Sequence, residues 1–529
     1  MSYTKNTRRE FIKNSSLATI ALGLGNQIGT AGAAQSRGNS DKPNILFIFT
    51  DQHRLSAVGA YGAKYCKTPN IDKLAAKGML FRNTYTSCPM CSPARGTIMT
   101  GRYVHKHNIN ANCGEYTGRL WEIPDNKNIL SRRLESAGYQ CGYTGKWHLG
   151  TDAKDTALPT NRGFIGMDVP GHGDGGHRSK GYQEYLRKNN YKRNMVPGER
   201  PHKITGRYGV EKGGIESCVP HYLAEHTISL IDDFSKKNQP FFIWHNFWGP
   251  HEPYYPPQEF IDMYKDVHIP EWENFNWKPD NEFGPHRMKR HALGSVSPWS
   301  VWEEGLKHYY AFTTYIDYEI GRLMEHLENK GLADNTIVIF SSDHGETLGS
   351  HNGMVDKGWS HFEEIQRVPL IVKDPRMDKS QTGKEVDKLI SQIDIYPTIL
   401  DYAGADYDKN IVDGASVKPF VDGRKVEWRD SVIVEFFGIG NMATNMLTCR
   451  YENYKYGYTC SNKDELYDLE KDPHEMTNLI DDENYADVVE MMRKRIYTFM
   501  CRTHYPGRNY FPGTRLFGYK NHMLENAKF

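Results

Sequence analysis

No hydrophobic run in this chain of 529 residues reaches the roughly 18 to 20 residues that would cross a bilayer, which argues against a transmembrane helix. Net charge is missing as well. Lys and Arg number 66 against 65 Asp and Glu, so no global basic field collects nucleic acid, and an anionic substrate must be drawn in by a local site. The nine cysteines, at positions 66, 88, 91, 113, 141, 218, 449, 460 and 501, are scattered rather than arrayed as a disulfide framework, and their odd number leaves at least one unpaired. Internal repeats and low-complexity tracts are absent, which excludes a solenoid or a disordered scaffold. A Gly-x-Ser-x-Gly elbow is absent too, so a serine hydrolase is disfavoured.

What is present suits one large α/β domain with a smaller companion. Strand-like apolar runs alternate with helical patterns through the first 400 residues. They are Asn44 to Phe49, a helix near Ile71 to Lys77, a helix near Leu130 to Ala137, Pro240 to Phe247, a long helix near Tyr309 to Asn329, then Thr336 to Phe340 and Val368 to Val372. That order predicts a large, mostly parallel sheet sandwiched by helices over residues 41–400. After Asp401 the texture changes to short aromatic segments, Ser431 to Phe437, Thr444 to Tyr451, Tyr454 to Tyr458 and Glu465 to Leu469, followed by an amphipathic stretch from Tyr485 to Cys501. Residues 401–529 therefore read as a smaller antiparallel sheet with a packed helix.

Two long segments, Gly163 to Glu216 and Pro256 to Trp302, lack periodicity and carry Trp272, Trp277, Trp299 and Trp302. They suit either loops that bind a polar, ring-shaped ligand or packed surface insertions. At the N-terminus, Thr7-Arg8-Arg9-Glu10-Phe11-Ile12-Lys13 precedes a short apolar run, Leu17 to Gly25, and the small-residue stretch Ala31-Gly32-Ala33. This resembles a bacterial twin-arginine export signal spanning residues 1–33, and it implies a periplasmic or cell-surface location.

Ligands of open α/β sheets sit beyond the carboxyl ends of the strands, so polar residues directly after apolar runs are candidates. Asp51 and Gln52, Gly145-Lys146-Trp147-His148, Pro250-His251 and Asp343-His344-Gly345 all have that position. Singly, each Asp is equally a helix cap and each His equally a core residue; together they converge on one rim. Two carboxylates, an amide and an imidazole suit an oxygen-preferring divalent cation, calcium rather than zinc. His105-Lys106-His107 is a second nominal metal pair, read here as solvated surface. Cys88 and Cys91 also fit a Cys-x-x-Cys redox motif, though without the small redox domain that would accompany it.

The segment Ser87 to Arg102 closely resembles the signature of the type I sulfatases of the alkaline phosphatase superfamily. Cys91, Pro93 and Arg95 match Cys-x-Pro-x-Arg, and Thr100-Gly101-Arg102 match its continuation. Asn44 to Gln52, Gly145 to Gly150, His251, Ser342 to Gly345 and Leu466 to Leu479 follow in the family's order. The resemblance implies an alkaline-phosphatase-like fold and a sulfuric ester hydrolase. It further implies that a formylglycine-generating enzyme oxidises Cys91 to formylglycine (3-oxoalanine), and that Asp51, Gln52, Asp343, His344 and the modified Cys91 hold one calcium ion. Arg95, Lys146, His148, His251 and Lys357 would then serve the sulfate: the lysines hold its oxygens, His251 protonates the leaving oxygen, His148 takes the proton that frees the enzyme, and Arg95 positions the gem-diol.

Gln52 departs from the paired aspartates of many members and is also seen in the choline-sulfatase and phosphonate-hydrolase branches. In one common version of the pattern the lysine lies one position later than Lys357, where this chain has Gly358; in another, Lys-Gly is itself the pattern, as here. Export together with aromatic and basic loops points to a sulfated polysaccharide or its oligosaccharides, such as ulvan or a glycosaminoglycan. A phosphonate or phosphodiester hydrolase of the same superfamily, and a carbohydrate-binding pseudoenzyme with an unmatured Cys91, are the rivals.

Overall fold

A computed structural model describes residues 42–151, 157–169, 171–198, 208–277, 297–460 and 462–516. The export segment expected over residues 1–33 lies outside the described residues. The strands in chain order are β1 (Asn44–Asp51), β2 (Met79–Tyr85), β3 (Gln140–Gly145), β4 (Ile165–Gly166), β5 (Met195–Pro197), β6 (Gly209–Glu211), β7 (Phe241–Pro250) and β8 (Thr336–Ser342). β9 (Arg367–Val368), β10 (Leu370–Lys373), β11 (Glu385–Ser391), β12 (Ser431–Ile439), β13 (Met442–Tyr451), β14 (Tyr454–Thr459) and β15 (Glu465–Asp468) follow. The principal helices are α1 (Pro69–Lys77), α2 (Cys91–Thr100), α3 (Leu130–Ser136), α4 (Val219–Phe234), α5 (Trp299–Asn329), α6 (Ile395–Ala403) and α7 (Ala486–Thr503).

The main sheet runs β11-β2-β10-β8-β1-β7-β3-β4, with β9 paired to β2. Its centre, β8-β1-β7-β3, is parallel, and the antiparallel pairings all involve β9 and β10. The apolar runs are continuous because both faces are covered. Along β1, Leu46 and Ile48 enter one core while Ile45, Phe47 and Phe49 enter the other, as the two-residue side-chain period requires. α1, α4 and α5 pack Ile71, Leu223 and Ile316 into the first core; α2, α3 and α6 pack Ile98, Leu134 and Ile399 into the second. The run predicted at Val368 to Val372 is two short strands split at Pro369, whose missing N–H cannot join a ladder.

The predicted C-terminal elements form the antiparallel sheet β12-β13-β14-β15, with α7 against it. A third core joins Ile433, Leu447, Tyr456 and Leu466 to Met492, Ile496 and Phe499, and it takes in Cys88 and Met90 from the segment just before α2. Glu435 N–H donates to the Ser87 carbonyl at 2.9 Å, so the small sheet grips that segment directly.

The aromatic expectation for the two long segments resolves toward packing for most of its residues. Trp299 and Trp302 open α5 and are buried, and Trp272 donates its indole N–H to the Leu348 carbonyl at 2.9 Å. Trp277 donates to the Met476 carbonyl at 2.6 Å. The segment from Gly163 to Glu216 contains a helix, Lys180–Asn189, and the β5-β6 ribbon. His105 and His107 are not solvated surface but buried. Their short helix is wedged between α2 and the C-terminal sheet, where His105 pairs with Glu435 and His107 meets the Thr97 hydroxyl at 3.1 Å.

Burial also holds several histidines neutral. His107 and His245 are pushed down to about 3 and His226 to about 4, chiefly by desolvation, with the charges of Arg102 and His105 adding to the effect at His107. Their folded pKa values lie below the unfolded value of about 6.5, so unfolding takes up protons as pH drops through that window. Stability contributed above pH 6.5 is therefore lost toward pH 4, at up to about 4 kcal/mol per pH unit for three such groups. Urea unfolding at pH 7.5, 6 and 5 should show this decline, and a flat profile would contradict the burial of these rings.

Candidate active site

Four parallel neighbours end side by side, and their termini supply the site. Asp51 closes β1, Lys146 follows β3, Pro250 closes β7 with His251 directly after it, and Asp343 follows β8. Asp51 lies in register with Pro250, and Thr50 with Ser342. Gly145 makes the β3 exit possible: its φ is 92°, and an added Cβ would fall 1.7 Å from the Asn246 carbonyl oxygen. Gln52 (φ 58°) and His148 (φ 56°) adopt the same left-handed region without glycine's freedom. Such strain costs about 1 kcal/mol or more per residue and is retained where the surrounding structure imposes it.

Cys91 is the first residue of α2 and is 1% exposed. Its Sγ lies 3.3 Å from His344 Nε2, 3.5 Å from Lys146 Nζ and 3.9 Å from Asp51 Oδ1. Lys146 Nζ donates to Asp51 Oδ2 at 2.5 Å. The Arg95 guanidinium, one helical turn beyond Cys91, donates from Nη2 to Asp51 Oδ2 and Asp343 Oδ2, both at 3.1 Å. From Nη1 it donates to the Lys146 carbonyl (2.8 Å) and Asn246 Oδ1 (2.9 Å). His344 Nδ1 donates to the Gly345 carbonyl at 3.0 Å, which turns Nε2 toward the cluster.

Lys357 Nζ lies 2.5 Å from Gln52 Oε1 and 2.8 Å from His251 Nε2. His251 Nδ1 faces the Glu252 carbonyl at 2.8 Å, and its ring stands 5.6 Å from that of His172, which in turn stands 5.2 Å from His148. Every site residue found from the sequence is thus drawn into one cluster. Asn246, Glu346 and His172 belong to it as well. Asn246 lay hidden inside the β7 apolar run, and Glu346 directly continues the Asp343-His344-Gly345 motif; His172 had no local signal.

The electrostatics follow from burying several charges together. Burial raises Asp51, but Lys146, His251 and Arg95 outweigh it and hold the carboxyl well below its ordinary range. Asp343 is raised, first by burial and then by the neighbouring charge of Asp51. His344 is pushed up to about 9 against the effect of burial, by Asp343 and Cys91. Burial and Lys357 push His251 down to about 3, and burial with Lys146 holds His148 well below its ordinary value. The Lys357 ammonium is stabilised by Asp356, Cys91 and Asp51 despite its burial.

Ligand atoms of Asp51, Cys91, Asp343 and His344 all lie within 4.8 Å of one another, and all four residues are buried. Two abutting carboxylates with an imidazole nitrogen beside them fit a hard divalent cation, which would displace the Nε2 proton. Cys88, by contrast, is wholly buried and its thiol is pushed well above its ordinary value, chiefly by desolvation, which disfavours the thiolate that disulfide exchange requires. None of the nine cysteines forms a disulfide.

The sulfatase family model matches residues 43–405, and the model for the C-terminal part of N-sulphoglucosamine sulphohydrolase matches residues 349–501. Over 490 residues the chain is 30% identical to an uncharacterized sulfatase, YidJ, of Escherichia coli, covering 89% of each. It is 28% identical to the arylsulfatase of Clostridium perfringens, covering 86% of this chain and 93% of that one. The solved phosphonate monoester hydrolase of Agrobacterium radiobacter superposes with a TM-score of 0.71 at 25% identity, over 87% of this chain and 96% of that one. The fold is thus that of the alkaline phosphatase superfamily, and the chain belongs to the sulfatase family. It is a sulfuric ester hydrolase.

Proposed function

We propose that this sulfatase removes sulfate from a sulfated polysaccharide or its oligosaccharides, algal such as ulvan or a glycosaminoglycan, using formylglycine made from Cys91 and one calcium ion. The observation that carries the reading is the buried Cys91 thiol, ringed at 3.3 to 3.9 Å by His344, Lys146 and Asp51. Hydrated formylglycine would supply two hydroxyls on one carbon, one to take the sulfuryl group and one whose deprotonation releases sulfate. Calcium, held by Asp51, Gln52, Asp343, His344 and the modified residue 91, would supply positive charge to the sulfate oxygens.

The chain's own groups do the rest. Lys146 and Lys357 hold the sulfate oxygens, and Arg95 steadies residue 91 while bridging Asp51 and Asp343. Burial and Lys357 keep His251 neutral, whereas the negative charge of a bound ester favours its imidazolium form, which then protonates the leaving oxygen. His148 is also neutral and its buried Nδ1 has no partner among the described residues, as suits a base awaiting a proton. Both lysines meet oxygens of an ester with one negative charge, and more charge develops as the S–O bond breaks.

The sugar assignment draws on the matched N-sulphoglucosamine sulphohydrolase model and on an open cleft of about 930 Å³ beside His172, with Arg178, Lys180, Tyr222 and His226 along it. Export by residues 1–33 to the periplasm or cell surface, maturation by a formylglycine-generating enzyme, and a catalytic part over residues 41–400 with a smaller one over 401–529 belong to the same proposal. No described helix is long and apolar enough to cross a membrane. Likeness to the phosphonate monoester hydrolase supports phosphonate or phosphodiester hydrolysis as the second reading.

The test is mass spectrometry across Cys91 on protein made with the maturing enzyme, paired with sulfate release from an aryl sulfate and a panel of sulfated oligosaccharides. A loss of about 18 Da with release from one oligosaccharide class supports the proposal. Formylglycine with phosphoester but no sulfate ester cleavage would transfer the assignment to the second reading, and an unmodified thiol would leave a carbohydrate-binding pseudoenzyme.

A further inference from the structure

An amide ligand, unlike a carboxylate, has two unlike ends and must be held the right way round. Gln52 sits between two partners that each act in one sense. Lys357 Nζ, which can only donate, lies 2.5 Å from Gln52 Oε1, and the amide nitrogen faces Glu346 Oε2. Glu346 is wholly buried. Its other oxygen accepts from the backbone N–H groups of Leu348, at 3.2 Å, and Asp356, and from the Thr347 hydroxyl at 3.3 Å. Backbone N–H groups can only donate, so that oxygen is committed as an acceptor, and Oε2 is the atom left to accept from the Gln52 NH2 group.

From this we infer that Glu346 is a positioning residue. It holds the Gln52 NH2 group so that the amide carbonyl oxygen is turned toward Lys357 and the cation site. A flipped amide would set its NH2 group against the Lys357 ammonium, two donors with no acceptor, and its carbonyl oxygen against the buried Glu346 Oε2, two acceptors with no donor. The inference rests on the reading of Gln52 as a ligand of the bound cation.

Glu346→Gln tests it. The introduced amide keeps its carbonyl oxygen on the Leu348 and Asp356 N–H groups and turns its own NH2 toward Gln52, which must then flip. Calcium affinity, measured by titration calorimetry on metal-stripped protein, should fall about 10- to 100-fold, the usual effect of losing a partner that orients a ligand. kcat/KM for an aryl sulfate should fall with it. The exchanged pair Gln52→Glu with Glu346→Gln restores a carboxylate that accepts from the introduced amide and offers its second oxygen to Lys357, so both quantities should recover to within about threefold of wild type; a merely structural role for Glu346 predicts no such recovery.

Affinity and kcat/KM unchanged in Glu346→Gln, or no recovery in the exchanged pair, would overturn the inference. Should Glu346→Gln fail to fold, the exchanged pair is compared with Gln52→Glu alone, and equal values in those two would overturn it. Gln52→Ala separates the readings: calcium affinity unchanged in that variant removes Gln52 from the ligand set, whereas weakened binding there with normal binding in Glu346→Gln defeats only the role of Glu346. If wild type binds no calcium, the calcium reading fails and kcat/KM alone decides the role of Glu346.

Discussion

Cys91→Ala should abolish sulfate release from a matured preparation, lowering kcat/KM for an aryl sulfate by roughly 10⁴- to 10⁶-fold, the loss typical of removing a covalent nucleophile. The protein itself should survive the change. Cys91 makes only sulfur contacts of 3.3 Å and longer, and truncating so small a side chain costs about 1 kcal/mol. The backbone N–H groups of the first turn of α2 and the Arg95 interactions remain. Cys91→Ser should behave differently. A single hydroxyl can take the sulfuryl group, with release of one equivalent of phenol per site, but it lacks the second hydroxyl whose deprotonation would expel sulfate, so turnover stops there. Burst kinetics with a quantified phenol distinguish the two variants. Full activity in Cys91→Ala would place the chemistry elsewhere in the molecule.

Arg95→Ala carries the second large effect, and it acts on both stability and rate. The guanidinium is wholly buried and its Nη2 donates to both Asp51 and Asp343 at 3.1 Å. Removing it leaves two buried carboxylates facing each other with Lys146 on Asp51 and His344 Nε2 3.7 Å from Asp343, and breaking a buried ion pair from one side costs about 3–5 kcal/mol. Urea unfolding of metal-free protein should show that deficit. Calcium should shrink it, because a divalent cation between the same carboxylates replaces part of the lost charge. Arg95→Lys should fall between, since an ammonium cannot reach both acids in the guanidinium's planar geometry. Equal stability of wild type and Arg95→Ala without metal would mean that these carboxylates are already neutralised by protonation.

Much of this was legible before the structure. β1, β7 and β8 are buried on both faces, so their apolar runs are nearly uninterrupted and end abruptly at Asp51, Pro250-His251 and Asp343. A strand that ends in a polar residue at the carboxyl edge announces a site. The C-terminal strands were legible as short aromatic runs set off by polar turns, although the strands themselves are largely buried. β2 and β11 were not, since β2 mixes Arg82 and Asn83 into its run and β11 is largely exposed at the sheet's edge. His105 and His107 misled for a related reason: a polar tripeptide reads as surface unless the partner that buries it, here Glu435 from more than 300 residues away, is known.

The sequence by itself determined the alternation that makes a parallel sheet, the order of its strands in the chain, and the residues able to supply charge, protons and a nucleophile. These are local properties, set by side-chain period and functional group. Only the tertiary structure decided that Arg95 bridges Asp51 and Asp343, that His344 turns Nε2 toward Cys91, that burial keeps His148 neutral, and that Glu346 faces the Gln52 amide. Each of those depends on residues from separate strands meeting in a buried space, where geometry and desolvation, rather than residue type, set protonation and orientation.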